Sequence, residues 1–533
     1  MAQQAADAAR AGGAFERYAG LDAPAVAHAQ RAAVALGSHR LDEAERELAA
    51  LAPTTLRHPE MLRLLGTVRL LRGRCGDAIA ALTVGCALRP HDPLLFAALG
   101  GAHERVGDYS AALEASARAC TLGPDIAACW SNRARLLRAV GDRAGSAEAL
   151  ARVLALEPGH VNAQLQCADA LQAEGRHAEA AAAYRDVARR HPDRAGLAWW
   201  GLACLRPLPF DGTDIDAMRA ALARPGAGRQ HYVAINFALA HALEQHGDMA
   251  AAWTALSRAH ALAQRDEPWD ATAFSNLAAA LRATPPAHAS GDGAASAEAI
   301  FIVSLPRSGS TLLEQILASQ SAVAAGGEMP LLRQLLLDAA AGARRDLAAW
   351  QANAGAADWQ ALGERYRAQT RPWRGTRALC TDKMPGNWLF IGAILAMLPR
   401  ARVIVLRRDP LETTLGCYRT YFTSQAYAHA FEDLAAYWRD FDRTTRYWCA
   451  QAPQRVCAID YETLVDAPQH TIPALLEFCG LPFEAACLTP HTTVRRIDTP
   501  SAGQVRQPIH APVRRAHAYA PWIEPLRQAL AGG

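Results

Sequence analysis

Small and apolar residues recur through residues 20–282 at the three- and four-residue spacing of amphipathic helices, and a longer rhythm lies over that spacing. Gly73, Gly107, Gly141 and Gly175 lie 34 residues apart, and so do Pro90, Pro124, Pro158 and Pro192. Small side chains repeat at Gly66, Gly100, Ala134 and Ala168, and again at Ala78, Ala112, Ser146 and Ala180. The pattern predicts stacked helix pairs: small residues let the helices approach, glycine ends the first helix of each pair, and proline marks the break before the next. The frame extends back to Ala32 and Ala44, with His39 in the place of glycine. It blurs between Trp199 and Gly228, then returns at Gly247-Asp248 with Ala240 and Ala252. Residues 283–299 are rich in Pro, Gly, Ser and Ala without an apolar period, which predicts a flexible linker.

From 300 to 533 the pattern changes. Ile300–Val303, Arg377–Thr381, Arg402–Leu406 and Val456–Asp460 are short runs of strand length separated by helical patterns. Such alternation predicts a mainly parallel sheet with helices on both faces and functional residues at the C-terminal strand ends. The first run leads into Pro306–Ser310 and then into Thr311–Leu317 at helical spacing. A strand, a tight loop and a helix hold an anion well, because backbone N–H groups converge there. Gly309 permits close approach, Ser308, Ser310 and Thr311 supply hydroxyls, and Arg307 supplies charge. The loop lacks the lysine of a G-x-x-x-x-G-K-[ST] motif, which disfavours a phosphate-donor kinase. By itself it also fits an ordinary helix cap.

The 533 residues carry a net charge of only +3, which excludes a broad nucleic-acid footprint. No apolar run has the length of a membrane span, and the first twenty residues lack the apolar core of a signal peptide. The 12 cysteines show neither a C-x-x-C pair nor metal-ligand spacing, so reduced thiols, a cytoplasmic location and no metal are expected. Lys383 is the single lysine among the 55 basic residues. A compact ammonium retained in a chain so biased toward arginine is a candidate for specific chemistry, chance survival being the alternative.

The 34-residue array resembles the tetratricopeptide repeat. The second half, from Ile300 to about Leu530, resembles the tyrosylprotein-sulfotransferase-like branch of the sulfotransferases, whose donor is 3′-phosphoadenosine 5′-phosphosulfate (PAPS). The resemblance rests on the Pro306–Leu312 loop, Gly326-Gly327-Glu328, Thr381–Pro385, Arg407-Arg408-Asp409-Pro410 and Gln504–Ile509. It implies a P-loop-like α/β domain and a donor site at Arg307, Ser308, Gly309, Ser310 and Thr311. It also implies Glu328 as general base, with Lys383, Arg307 and Ser501 stabilising the leaving phosphate. Arg408 would hold the 3′-phosphate, and Tyr461 would touch the nucleotide. Two positions depart from the family. Gly416 replaces the usual serine, leaving Arg419 to compensate one turn on; and Arg515 keeps a basic charge in a region that lacks the family's tryptophan.

Two functions follow from these features. One is transfer of a sulfuryl group from PAPS to a hydroxyl acceptor, with Leu331–Thr370 shaping the acceptor side. The other is a repeat-based scaffold joined to an inactive nucleotide-binding module. The array suits a protein or peptide partner or a mere platform; Trp130, Trp199, Trp200 and Trp253 fit a binding groove or ordinary packing. Peptide, glycan and small-molecule acceptors all remain open.

Overall fold

The computed structural model describes residues 17–38, 40–205, 210–264, 268–283, 299–493, 495, 497, 502–510 and 514–532. It divides into two compact units, one ending at Ala163 and the other beginning at Gln164. The expected linker lies almost wholly outside the described residues.

In the first unit, antiparallel helix pairs follow the 34-residue rhythm, for example Pro93–Arg105 with Tyr109–Leu122 and Ala127–Ala139 with Arg143–Leu156. Gly73, Gly107 and Gly141 have φ of 77°, 73° and 83°, the left-handed conformation that ends a helix. The next residue's N–H then bonds back into the last turn, as Asp108 does to His103 O at 3.0 Å and Asp142 to Leu137 O at 2.9 Å. Those aspartates also cap the following helices, accepting from Ala111 N and Gly145 N. Ala78, Ala112 and Ala134 are fully buried, and a Cβ at Gly66 would lie 2.6 Å from Leu82. Trp130 donates its indole N–H to Pro124 O, a packing role.

The second unit opens with further helix pairs. His177–Arg190 is followed by Gly196–Cys204, and Arg229–Gln245 packs against Met249–Ala263, with Gly175 and Gly247 again left-handed. A five-stranded sheet follows: β1 Ala299–Ser304, β2 Val323–Ala325, β3 Leu379–Asp382, β4 Arg402–Arg407 and β5 Val456–Asp460. Its order is β2-β3-β1-β4-β5, and every described pairing is parallel. β2 was not among the expected strands; three residues ending in Ala-Ala carry too little pattern to stand out.

Alternating residues of β1 serve opposite faces of the sheet. Ile300 and Ile302 join Leu313, Ile316 and Leu317 of helix Ser310–Ala318 and Leu475 and Leu476 of helix Pro468–Phe478. Phe301 lies against Tyr366 of helix Ala356–Arg374, with 5.6 Å between ring centroids. From β1 the chain reaches β2 and β3 on one side before crossing to β4 and β5 on the other. A crevice therefore opens beyond the C-terminal end of β1.

Candidate active site

The loop after β1 is shaped by two left-handed residues, Arg307 at φ 67° and Gly309 at φ 96°. Gly309 has a second reason to be glycine: a Cβ there would sit 2.4 Å from the Tyr461 ring. Ser308, Ser310 and Thr311 are buried. Helix Ser310–Ala318 starts immediately after Gly309, bringing its first-turn N–H groups to the loop.

The loop forms one wall of a cavity of about 350 Å³. Arg307, Gly309, Ser310 and Thr311 line it, together with Glu328, Arg408, Tyr461, Arg419 and Arg515. These residues come from distant parts of the chain, and the fold brings them together. Ser308 is buried within the loop. Ser501 lies outside the described residues.

Arg407 and Arg408 diverge at the end of β4. Arg407 is held by Asp442 Oδ1 at 2.5 Å and Thr445 Oγ1 at 2.7 Å on helix Phe431–Gln451. Arg408 instead faces the loop, donating to Arg307 O at 3.1 Å with its guanidinium 4.7 Å from the centre of the Tyr461 ring. Tyr461 thus touches both the loop glycine and the arginine. Asp409 accepts from Glu412 N and so caps helix Pro410–Tyr418.

Gly416, on that helix, is explained by contact. A Cβ there would lie 3.1 Å from Arg307 Cβ, so a side chain at 416 presses on the stem of the loop arginine. Burial pushes the Arg307 pKa below its ordinary value, and the charges of Arg419 and Arg408 add to that effect.

Glu328 and Lys383 meet directly: Lys383 Nζ donates to Glu328 Oε1 at 2.5 Å. Lys383 is fully buried, whereas the Glu328 side chain is 45% exposed, so the lysine reaches the cavity through the carboxylate. The Lys383 backbone N–H also donates to Gly327 O at 2.9 Å, coupling β3 to the turn that carries Glu328. Beside them, burial, with Glu314 adding, pushes the Asp382 carboxyl up to about 7, against the hydrogen bond it accepts from Tyr366 OH.

Two carboxylates were not expected from the sequence. Glu314, on the buried face of helix Ser310–Ala318, accepts from Gly327 N at 2.9 Å, Thr381 Oγ1 at 2.8 Å and Arg495 at 3.0 Å. A glutamate amid the apolar run Leu312–Leu317 was its available signal. Glu244, on helix Arg229–Gln245, pairs with both Arg419 and Arg515. Burial alone would raise its carboxyl, yet Arg419, Arg515 and His241 hold it down at about 2. No local pattern announces a pairing across 175 residues of chain. Trp200 and His241 also line the cavity, while Trp253 stacks on Tyr418 and Trp522 and Trp199 is buried.

Among the described residues no group of His, Cys, Asp and Glu side chains is arranged to hold a metal ion. No described helix is long and apolar enough to cross a membrane.

Two parts of the chain match known protein families. Residues 299–485 match the sulfotransferase family, and residues 137–202 match the tetratricopeptide repeat. An uncharacterized Aquifex aeolicus protein is 28% identical over 61% of this chain, and the match spans 45% of that protein's own length. A Caenorhabditis briggsae protein provisionally named a protein-tyrosine sulfotransferase is 26% identical over 37% of this chain and 70% of its own. The solved sulfotransferase domain from the curacin biosynthetic pathway is 20% identical, covering 44% of this chain and 96% of its own, with a TM-score of 0.27.

Proposed function

We propose that this chain, which joins tetratricopeptide repeats to a sulfotransferase-family domain, moves a sulfuryl group from PAPS to a hydroxyl acceptor. The observation that carries this reading is a cavity lined together by the β1 loop, Arg408, Tyr461 and the Glu328 carboxylate that Lys383 holds. Its volume of about 350 Å³ lies within the range of small-molecule sites.

PAPS, when bound, supplies a sulfur joined through a bridging oxygen to the nucleotide's 5′-phosphate. The loop hydroxyls and backbone N–H groups, with Arg307, hold that phosphosulfate end. Arg408 offers its planar fork to the 3′-phosphate, and Tyr461 packs beside the nucleotide. Glu328 accepts the acceptor's hydroxyl proton as the oxygen bonds to sulfur. The bond from sulfur to the bridging oxygen breaks and leaves its electron pair on the phosphate, where Lys383 and Arg307 offset the charge, with Ser501 as a further donor. The repeats offer a surface for a protein or peptide partner, and 12 cysteines scattered without C-x-x-C spacing suit the cytoplasm.

The test is transfer of labelled sulfuryl from PAPS to a panel of phenols, alcohols and sugars. Wild-type protein labels one class, while Glu328→Gln and Lys383→Ala stay folded and lose turnover. Wild-type rate in either variant would overturn the roles assigned here. A protein that binds the nucleotide but labels no class would favour the scaffold reading.

A further inference from the structure

The Arg229–Gln245 helix ends in a place where an acidic residue is unfavourable. Glu244 lies in its last turn, where the negative end of the helix dipole repels a carboxylate. The side chain is also mostly withdrawn from water, at 13% exposure. Helix energetics therefore do not account for it. Its partners do: one oxygen accepts from Arg419 and Tyr519 OH, and the other accepts from Arg515.

Both arginines line the donor cavity with Arg307 and Arg408. One carboxylate thus faces two of four guanidiniums gathered where a multiply charged anion would bind. Glu412, the neighbouring acid, is engaged by the backbone N–H groups of Arg515 and Ala516, at 2.9 Å each. The backbone beneath Arg419 is anchored independently of Glu244. His241 Nε2 donates to Arg419 O at 2.9 Å, and His260 Nε2 donates to Tyr418 O at 2.8 Å.

From this geometry we infer that Glu244 is the resting counter-ion of the donor pocket: it holds Arg419 and Arg515 until the phosphates of the nucleotide take them, and reclaims them as product leaves. The inference rests on the proposed PAPS site and adds to it a residue that sets donor affinity from the repeat-patterned helices. Charge-assisted bonds to a buried carboxylate are strong, so a phosphate must replace them rather than simply add to them. A carboxylate fixed beside the arginines keeps the pocket from retaining a product that carries the same phosphates. Glu244 acts through the arginines and is a positioning residue.

The test compares wild-type protein with Glu244→Gln, which preserves shape and one hydrogen-bonding oxygen. Calorimetric titration uses 3′,5′-adenosine bisphosphate and, as control, 5′-AMP; steady-state turnover follows. The variant should bind the bisphosphate at least about fivefold more tightly, the low end of coupling between linked interactions. Its kcat and KM should fall together, because release has slowed. Glu244→Asp, which keeps the charge one methylene shorter, should lie between the two and serves if the glutamine variant does not fold. A lower melting temperature with unchanged bisphosphate affinity would overturn the inference, and so would weaker binding. If neither protein responds to the 3′-phosphate, the donor assignment itself falls. Wild-type binding that the variant leaves unchanged removes only the role of Glu244.

Discussion

Glu314 gives the most demanding prediction, because it touches no substrate in this account and yet ties three parts of the site together. Its side chain is 2% exposed and accepts from Gly327 N, Thr381 Oγ1 and Arg495, whose own side chain is 15% exposed. Glu314→Ala takes the carboxylate from the partly buried Arg495 guanidinium, which keeps its bond to Gln315 Oε1, and releases the turn that carries Glu328. Breaking a pair that is buried on one side only costs at most about 3–5 kcal/mol of stability. A Glu328 carboxylate displaced by roughly 1 Å loses on the order of 100-fold in turnover. Arg408 and Tyr461 follow β4 and β5, whereas the Glu314 side chain holds the turn after β2 and the end of β3, so nucleotide affinity should hold. Glu314→Gln is the milder change: an amide oxygen can keep the Gly327 and Thr381 bonds, but the amide nitrogen faces Arg495. The assay is kcat beside bisphosphate affinity, on protein whose folding is checked by thermal melting. Folded Glu314→Ala with wild-type kcat would refute the reasoning, as would a loss of affinity equal to the loss of rate.

Other outcomes follow from the same geometry. Arg408→Ala should weaken bisphosphate binding and leave 5′-AMP binding unchanged; equal loss for both would remove its 3′-phosphate role. Gly309→Ala meets both a φ of 96° and the Tyr461 ring at 2.4 Å, and should cost at least about 1–3 kcal/mol together with donor binding, read by melting and titration. Glu244 should also leave a mark on acid stability. Its folded pKa of about 2 lies below the ordinary 4.5, so its contribution is complete above about pH 4.5 and is lost as pH falls toward 2. Glu244→Gln should flatten that part of the stability profile, and an unchanged acid limb would contradict it.

The site divides by how far apart its partners lie in the chain. The 34-residue glycines, the Ile300 strand and the Pro306–Thr311 loop were legible because each is a local pattern with a local physical cause. A left-handed turn selects glycine, and a buried strand selects an apolar run. The matches to the tetratricopeptide repeat and the sulfotransferase family agree with that reading. β2 was not legible, since its three residues pair in register with β3 and owe their place to that partner. Glu314 stands in a largely apolar helix, and its burial and its three partners appear only once that helix packs on the sheet. Glu244 was beyond sequence reasoning, because its partners Arg419 and Arg515 lie in a different part of the chain. Gly416 was read as a missing hydroxyl, and its packing against Arg307 appears only in three dimensions.

The central claim is that this cavity recognises a 3′-phosphorylated adenine nucleotide, and calorimetric titration of the wild-type chain tests it most directly. Micromolar binding of 3′,5′-adenosine bisphosphate, with 5′-AMP at least about tenfold weaker, is the predicted result for a bidentate arginine on the extra phosphate. No binding, or equal binding of the two nucleotides, would contradict the account and leave the repeats as the working part of the protein.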